Sequence, residues 1–402
     1  MEEFVLDNGI KLICDSREGK LTSFCIGFNA GALEEEGFSL GTAHAVEHMV
    51  FKGTAGRSER QINDEMDNYF GFSNAMTNYP YAIYYGTVSS NDFAKGFELY
   101  CDILLNPVFP SEGFEEEIRV IMEELRDWKE DFSQRCEDLL FSNSFSRRRI
   151  RELIIGNEAS VKNITLDEIK NFYSRFYSPE NCIITVVTSL KPQDIFAYVN
   201  EIMGLWNNSA GYIRNVDYEK NKPGIYTAQY GTESARLQVC FDIHDLTDRE
   251  LFCLYAFNME FGEGTSSMLY NEVRTVRGLA YEVGSSVKNE RGIRLFSIQL
   301  STSIYNIDEA LETINNCLKE AKKRDWTEKG VLERAVRRFR LKEGLALERS
   351  VEQCKRMAAA HLMYGNYRLG MNGFYEYNID GSEVREVVEK VLQKPSIQIL
   401  KI

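Results

Sequence analysis

The chain runs through one order of elements twice, and that repetition limits what it can fold into. In the first half, strand-like segments (4–14, 22–28) precede helical ones (39–51, 59–69). Strands follow (72–76, 82–88), then helices (92–105, 112–129, 165–176), then the apolar, β-branched run 182–187 that reads as a buried strand. A helix over 191–203 closes this half. Residues 209–224 are polar, with Asn, Gly, Lys and Pro, and read as a linker. The pattern then restarts with strands 225–229 and 236–242, a helix over 249–261, a second helix, and strands 282–288 and 295–303. Further helices and an alternating strand, 396–402, end it. Strands and helices segregated into runs predict an α+β fold rather than alternating α/β. At 402 residues the chain is long for one core. The expectation is two similar α+β domains from a diverged internal duplication, 1–208 and 225–402, joined by 209–224.

His44-Ala45-Val46-Glu47-His48 places two imidazoles and a carboxylate within five residues of a chain that has four histidines. On a helix, positions i and i+4 share a face, so His44 and His48 converge on one spot and Glu47 reaches it. Neutral imidazole nitrogens suit zinc, which lowers the pKa of a bound water, and a neighbouring carboxylate takes that water's proton. The order inverts the H-E-x-x-H zinc helix. Taken alone, these residues also fit two surface histidines beside a glutamate. A catalytic zinc wants three protein ligands and one open position, and Glu47 is needed as a base, so the third ligand must come from elsewhere. In 114–130, FEEEIRVIMEELRDWKE, residues Ile118, Ile121, Met122 and Leu125 recur at helical spacing, and Glu117 and Glu124 share a face two turns apart. Alone, this is an ordinary solvated acidic helix.

The run HAVEHMVFKGT (44–54) resembles the zinc helix of the pitrilysin/insulinase metallopeptidases, nearest the branch of mitochondrial processing peptidase and its bacterial relatives. The resemblance implies Glu124 as third zinc ligand, 76 residues beyond His48, with the match to VIMEEL favouring it over Glu123. It implies Glu117 as an accessory glutamate supporting the zinc. FSNAMT (72–77) resembles the family's edge strand, where Ser73, Asn74 and Ala75 would pair with the substrate backbone. FGEGTSSMLYNEVRTVRGLAY (261–281) resembles the C-terminal signature, a Gly-rich turn and a helix ending in R-G-L-x-Y. By position, Arg274 and Tyr281 match residues that bind substrate and help stabilise the oxyanion, work suited to a guanidinium and a phenol. Alone, that segment reads as a packed helix with a capping glycine turn. Departures from the family pattern are Ala45 and Val46 between the histidines, Glu263 and Met268 in the C-terminal signature, and 142–152 (SNSFSRRRIRE). None removes a ligand; they bear on substrate preference.

Composition narrows the rest. A net charge of −14 argues against a nucleic-acid or anionic-membrane partner and would suit a basic or neutral peptide. The acidic, strand-like start lacks a basic n-region and an apolar h-region, and no run of eighteen apolar residues exists, so no secretory signal and no membrane span are expected. Nine scattered cysteines without a C-x-x-C pair fit reduced thiols and a cytoplasmic setting. A cysteine peptidase would have only His244 and His361 left as partners, neither in a recognisable setting. The resemblance implies two such domains per half of a clam-shell, with two halves closing around a chamber. The zinc domain of one subunit would face the Arg274/Tyr281 domain of its partner, in a homodimer or a heterodimer with a related subunit. The expected function is a zinc endopeptidase acting on short or leader peptides. Two rivals stand beside it. A non-enzymatic scaffold of the same fold would typically lack ligands or base, and all are kept here. A peptide-binding protein with structural zinc fits poorly with an intact base beside an open coordination position.

Overall fold

In the computed structural model, which describes residues 1–208, 218–229, 234–328, 330–371 and 377–401, the strand-forming runs pair into two sheets. The first holds β1 (Glu2–Val5), β2 (Lys11–Ser16), β3 (Leu21–Phe28), β4 (Phe70–Thr77), β5 (Ala82–Ser89) and β6 (Cys182–Thr188), in the order β1-β2-β6-β3-β5-β4. The second holds β7 (Gly224–Gln229), β8 (Ser234–Asp242), β9 (Ala280–Glu290), β10 (Ile293–Ser303) and β11 (Ser396–Lys401), in the order β7-β11-β8-β10-β9. Without β1 the two orders coincide strand for strand. The senses coincide as well: β2 with β6 and β7 with β11 are parallel, and every other pair is antiparallel. The fold is α+β, built of two similar domains.

The segment expected as one strand over 4–14 is a hairpin. Asp7-Asn8-Gly9 turns the chain, Gly9 sits at φ 89°, and its N–H donates to Leu6 O at 2.8 Å. A D-N-G turn between alternating apolar residues is a hairpin signal in its own right.

The chain forms two compact units, and they are interleaved along the sequence. One comprises Met1–Arg126, Leu153–Val216 and Leu345–Gly373; the other Asp127–Glu152, Asp217–Gly344 and Phe374–Ile402. Each contiguous half expected from sequence therefore holds one whole sheet, but each lends a helical segment to the other unit. Of the expected linker, 209–217 lies outside the described residues. In 218–224, Lys222 N–H donates to Ser144 O at 2.8 Å.

The lent segments explain the burial of the sheets. One face of the first sheet packs on the helices Thr42–Val50, Phe93–Leu105, Leu166–Phe176 and Pro192–Met203. On its other face, Ile13, Cys25, Ile83, Tyr85, Ile183 and Val187 meet Val351, Cys354, Met357, Ala358 and Leu362 of the helix Ser350–Tyr364. With both faces covered, every residue of β6 is buried, which is why its sequence is a continuous apolar run. Gly27 of β3 lets the helix approach closely, since a Cβ would stand 2.8 Å from Leu362 Cδ1 and that side chain would have to shift. The second sheet is different. One face packs on an apolar core, while the other carries the buried polar residues Arg236, Gln238, Ser297 and Gln398. The helix Phe132–Ser144 lies over it, and its buried Glu137 accepts from Gln238 at 2.8 Å and pairs with Lys288. Among the described residues, no helix is long and apolar enough to cross a membrane.

Candidate metal and catalytic site

The motif helix forms as expected but starts later, at Thr42 rather than Ser39. Gly41 adopts φ 96°, and the buried Glu35 carboxylate accepts the N–H groups of Gly41 and Ala43, each at 3.0 Å. That carboxylate does the work of an N-cap from six residues away. The helix buries Ala45, Val46, Met49 and Val50 and turns His44, Glu47 and His48 the other way, half-buried.

His44 and His48 stack edge to face with ring centroids 4.5 Å apart. The helix Phe114–Glu130 brings Glu124 to them: Glu124 Oε1 lies 3.7 Å from His44 Nε2, and Oε2 lies 3.5 Å from His48 Nε2. These separations are long for hydrogen bonds. Two ligand atoms each about 2.0–2.1 Å from a tetrahedral zinc stand roughly 3.4 Å apart, a length close to each of these two separations, which run to different oxygens of Glu124. One donor atom from each of the three residues falls within 4.8 Å of the others. The donor set, two imidazole nitrogens and a carboxylate oxygen, is one that zinc accepts with a position to spare. Among the described residues this is the one cluster of its kind. Glu123, the neighbouring candidate, points elsewhere and pairs with Arg126.

The surroundings complete the site unevenly. His48 Nδ1 lies 2.7 Å from Glu117 Oε1, and Glu117 also takes the Lys52 ammonium. This fixes the ring and leaves Nε2 for a metal. Among the described residues, His44 Nδ1 is buried without a hydrogen-bond partner, so His44 has no such support there. Burial and the charge of His48 lower the pKa of His44. Burial opposes charge on His48 too, but the Glu117 and Glu124 carboxylates outweigh it and hold that ring up at about 9. Burial raises the pKa of Glu47, against hydrogen bonding from Thr77 and the charge of His48.

Ser73, Asn74 and Ala75 lie on β4, the end strand of the first sheet, whose outer edge is unpaired among the described residues. Tyr100 props this strand, its hydroxyl reaching Tyr85 O at 3.1 Å and Asn74 O at 3.4 Å. Arg274 and Tyr281 belong to the other unit. Arg274 sits in a π-helical turn, Tyr270–Val276, and Tyr281 is the second residue of β9, which is again an end strand. The guanidinium lies 4.5 Å from the Tyr281 ring centroid and 4.8 Å from that of Tyr270. Tyr281 is 82% exposed. Sequence reading missed Thr77, whose hydroxyl donates to Glu47 Oε2, and Lys52. Strand periodicity holds the one available signal for Thr77, since it puts 73, 75 and 77 on one face.

Two family models match the chain in series. Insulinase (Peptidase family M16) covers residues 13–158, and the Peptidase M16 inactive domain covers 163–339. The chain belongs to the insulinase family of peptidases. Relatives of this M16 chain include YmxG of Bacillus subtilis, named an uncharacterized zinc protease. It is 23% identical over 370 residues, 92% of this chain and 90% of that protein. A zinc protease of Rickettsia bellii, also named as uncharacterized, is 24% identical over 360 residues, covering 89% and 84%. Two solved structures match along the whole of this M16 chain. A protease from Helicobacter pylori has a TM-score of 0.88 at 20% identity, with 99% of its chain covered. A peptidase M16 inactive domain from Pseudomonas fluorescens has a TM-score of 0.87 at 19% identity, with 97% covered. At these identities the likeness establishes the fold.

Proposed function

We propose that this chain is a zinc-dependent endopeptidase of the processing-peptidase-like branch, acting on extended peptides. The observation that carries the reading is the convergence of Glu124, from the helix Phe114–Glu130, on His44 and His48 of the helix that also carries Glu47. A zinc ion held by these three residues would supply Lewis acidity, bringing the pKa of the attacking water toward neutrality. Glu47, whose proton affinity burial raises, is suited to take a proton from water and return it. It accepts the water proton as the oxygen adds to the scissile carbonyl carbon. As the C–N bond breaks, Glu47 delivers that proton to the leaving amine nitrogen.

The unpaired edge of β4 supports substrate pairing by strand addition through Ser73, Asn74 and Ala75, which selects extended segments over folded ones. In this reading Arg274 and Tyr281 donate to substrate and oxyanion from a partner subunit, in a homodimer or a dimer with a related chain. The acidic charge favours basic or neutral peptides, leader peptides and short peptides among them. The test is cleavage of a quenched peptide library by zinc-loaded protein and by Glu47→Gln. The variant is expected to keep its zinc and lose cleavage. Full activity in it overturns the mechanism.

A further inference from the structure

Thr77 is the last residue of β4, buried, and paired in register with Ala82 of β5. Its hydroxyl donates to Glu47 Oε2, and its backbone N–H also favours the ionised carboxylate. Packing does not require a hydroxyl here. Valine keeps the β-branched shape of threonine at a strand end, so exchanging the two removes the hydroxyl and its hydrogen bond to the Glu47 carboxylate. That bond joins two parts of the site that come from different places in the chain. The stretch Ser73–Ala75 on the open edge ends two residues before Thr77; at the other end of the bond is the carboxylate beside the metal ligands.

We infer that Thr77 is the positioning residue for Glu47, fixing the carboxylate to the same strand that receives the peptide. The inference rests on the reading of Glu47 as general base and deepens it. With Oε2 held by the strand, Oε1 is the oxygen presented for proton transfer. Base and scissile carbonyl then share one rigid reference, β4, which Tyr100 props from below. A carboxylate freed from this bond turns about its own side-chain torsions, and displacement of about 1 Å at a reacting group costs on the order of 100-fold in rate.

The experiment compares Thr77→Val, Thr77→Ser and Glu47→Gln in the full chain, each assayed for zinc content, kcat and KM. Thr77→Val is expected to keep its zinc and KM while kcat falls about 10- to 100-fold. Thr77→Ser, which keeps the hydroxyl, is expected to stay near the parent. A crystal structure of Thr77→Val is expected to show the Glu47 carboxylate turned away from β4, a readout independent of turnover. Thr77→Ala repeats the comparison if valine disturbs the strand. Parental kcat in Thr77→Val, or an unmoved Glu47, overturns the inference. Loss of zinc in Thr77→Val also overturns it, because Thr77 would then serve the metal ligands rather than the base. If Glu47→Gln is inert and Thr77→Val unimpaired, only this inference falls. If Glu47→Gln cleaves normally, the reading of Glu47 as base falls and takes this inference with it.

Discussion

His48 Nδ1 and Glu117 Oε1 stand 2.7 Å apart, and this contact decides which nitrogen of His48 is left for a metal. Carboxylates in this role fix the tautomer and orientation of a ligating imidazole, and their loss typically costs 10- to 100-fold in metal affinity. Among the described residues His44 lacks an equivalent contact, so the site leans on Glu117. Glu117→Ala is therefore expected to weaken zinc binding by about 10- to 100-fold, measured by competition with a chromophoric chelator. Glu116→Ala, which removes an exposed partner of Arg119, is the control and is expected to bind as the parent does. Equal affinities in the two variants would remove Glu117 from the site.

Glu124 and Glu123 are adjacent in sequence and opposite in surroundings. Glu124 reaches both histidines, while Glu123 pairs with Arg126 on the exposed face. Glu124→Gln replaces an anionic ligand by a weak neutral one and is expected to abolish stoichiometric zinc. Glu123→Gln is expected to retain it. Metal content by atomic emission after dialysis separates them, and a zinc-free Glu123→Gln beside a zinc-loaded Glu124→Gln would reverse the assignment.

Local periodicity explains what was legible in the chain and what was not. The His44–His48 helix and the acidic helix after it were legible because helical spacing alone puts their functional residues on one face. The run 182–187 was legible as buried because both faces of β6 are covered, but its sequence does not say what covers it. The answer, the helix Ser350–Tyr364, is written as Thr185 Oγ1 donating to Cys354 O across 169 residues. The link from Thr77 to Glu47 spans 30 residues; strand periodicity marks the face that Thr77 shares with 73 and 75 but not the partner it meets there. The helix Phe132–Ser144 was missed because one of its buried residues is Glu137, held by Gln238 and Lys288, so its inner face does not read as apolar.

The interleaved units predict the behaviour of fragments. A fragment ending at residue 208 holds the whole first sheet but not the helix Ser350–Tyr364. It would bare Ile13, Cys25, Ile83, Tyr85, Ile183 and Val187, a contiguous apolar face. It is expected to aggregate or to bind a hydrophobic dye strongly, and residues 345–371 fused to it are expected to restore solubility. A soluble, dye-negative fragment would show that this helix is dispensable.

If catalysis needs Arg274 from a partner, two dead variants should rescue each other. In a mixed dimer of Glu47→Gln and Arg274→Ala, one composite site draws its base and its arginine from undamaged domains. Refolding the two together at equal amounts is expected to return about a quarter of parental activity, since roughly half of the dimers are mixed and each has one intact site. A site completed within one chain would return none.

Asp138 carries the pH prediction. Its carboxylate accepts from Trp128 Nε1 at 3.1 Å and Gln134 Nε2 at 3.0 Å, yet burial pushes its pKa from 3.8 up to about 6. The folded protein thus keeps a proton that the unfolded chain has released between those values. The stabilisation is present in full below the unfolded value and is lost as pH rises through the folded one. Above it, the folded state holds a buried charge that water would solvate better. Asp138→Asn cannot ionise and keeps an oxygen to accept from Trp128. Each pKa unit is worth about 1.4 kcal/mol, and partial exposure discounts the gain to about 1–2 kcal/mol at pH 7. Urea unfolding of parent and variant, at equal zinc content, is expected to show that advantage at pH 7 and near equality at pH 4. An advantage of the same size at both pH values would mean that the substitution acts through packing rather than through the charge.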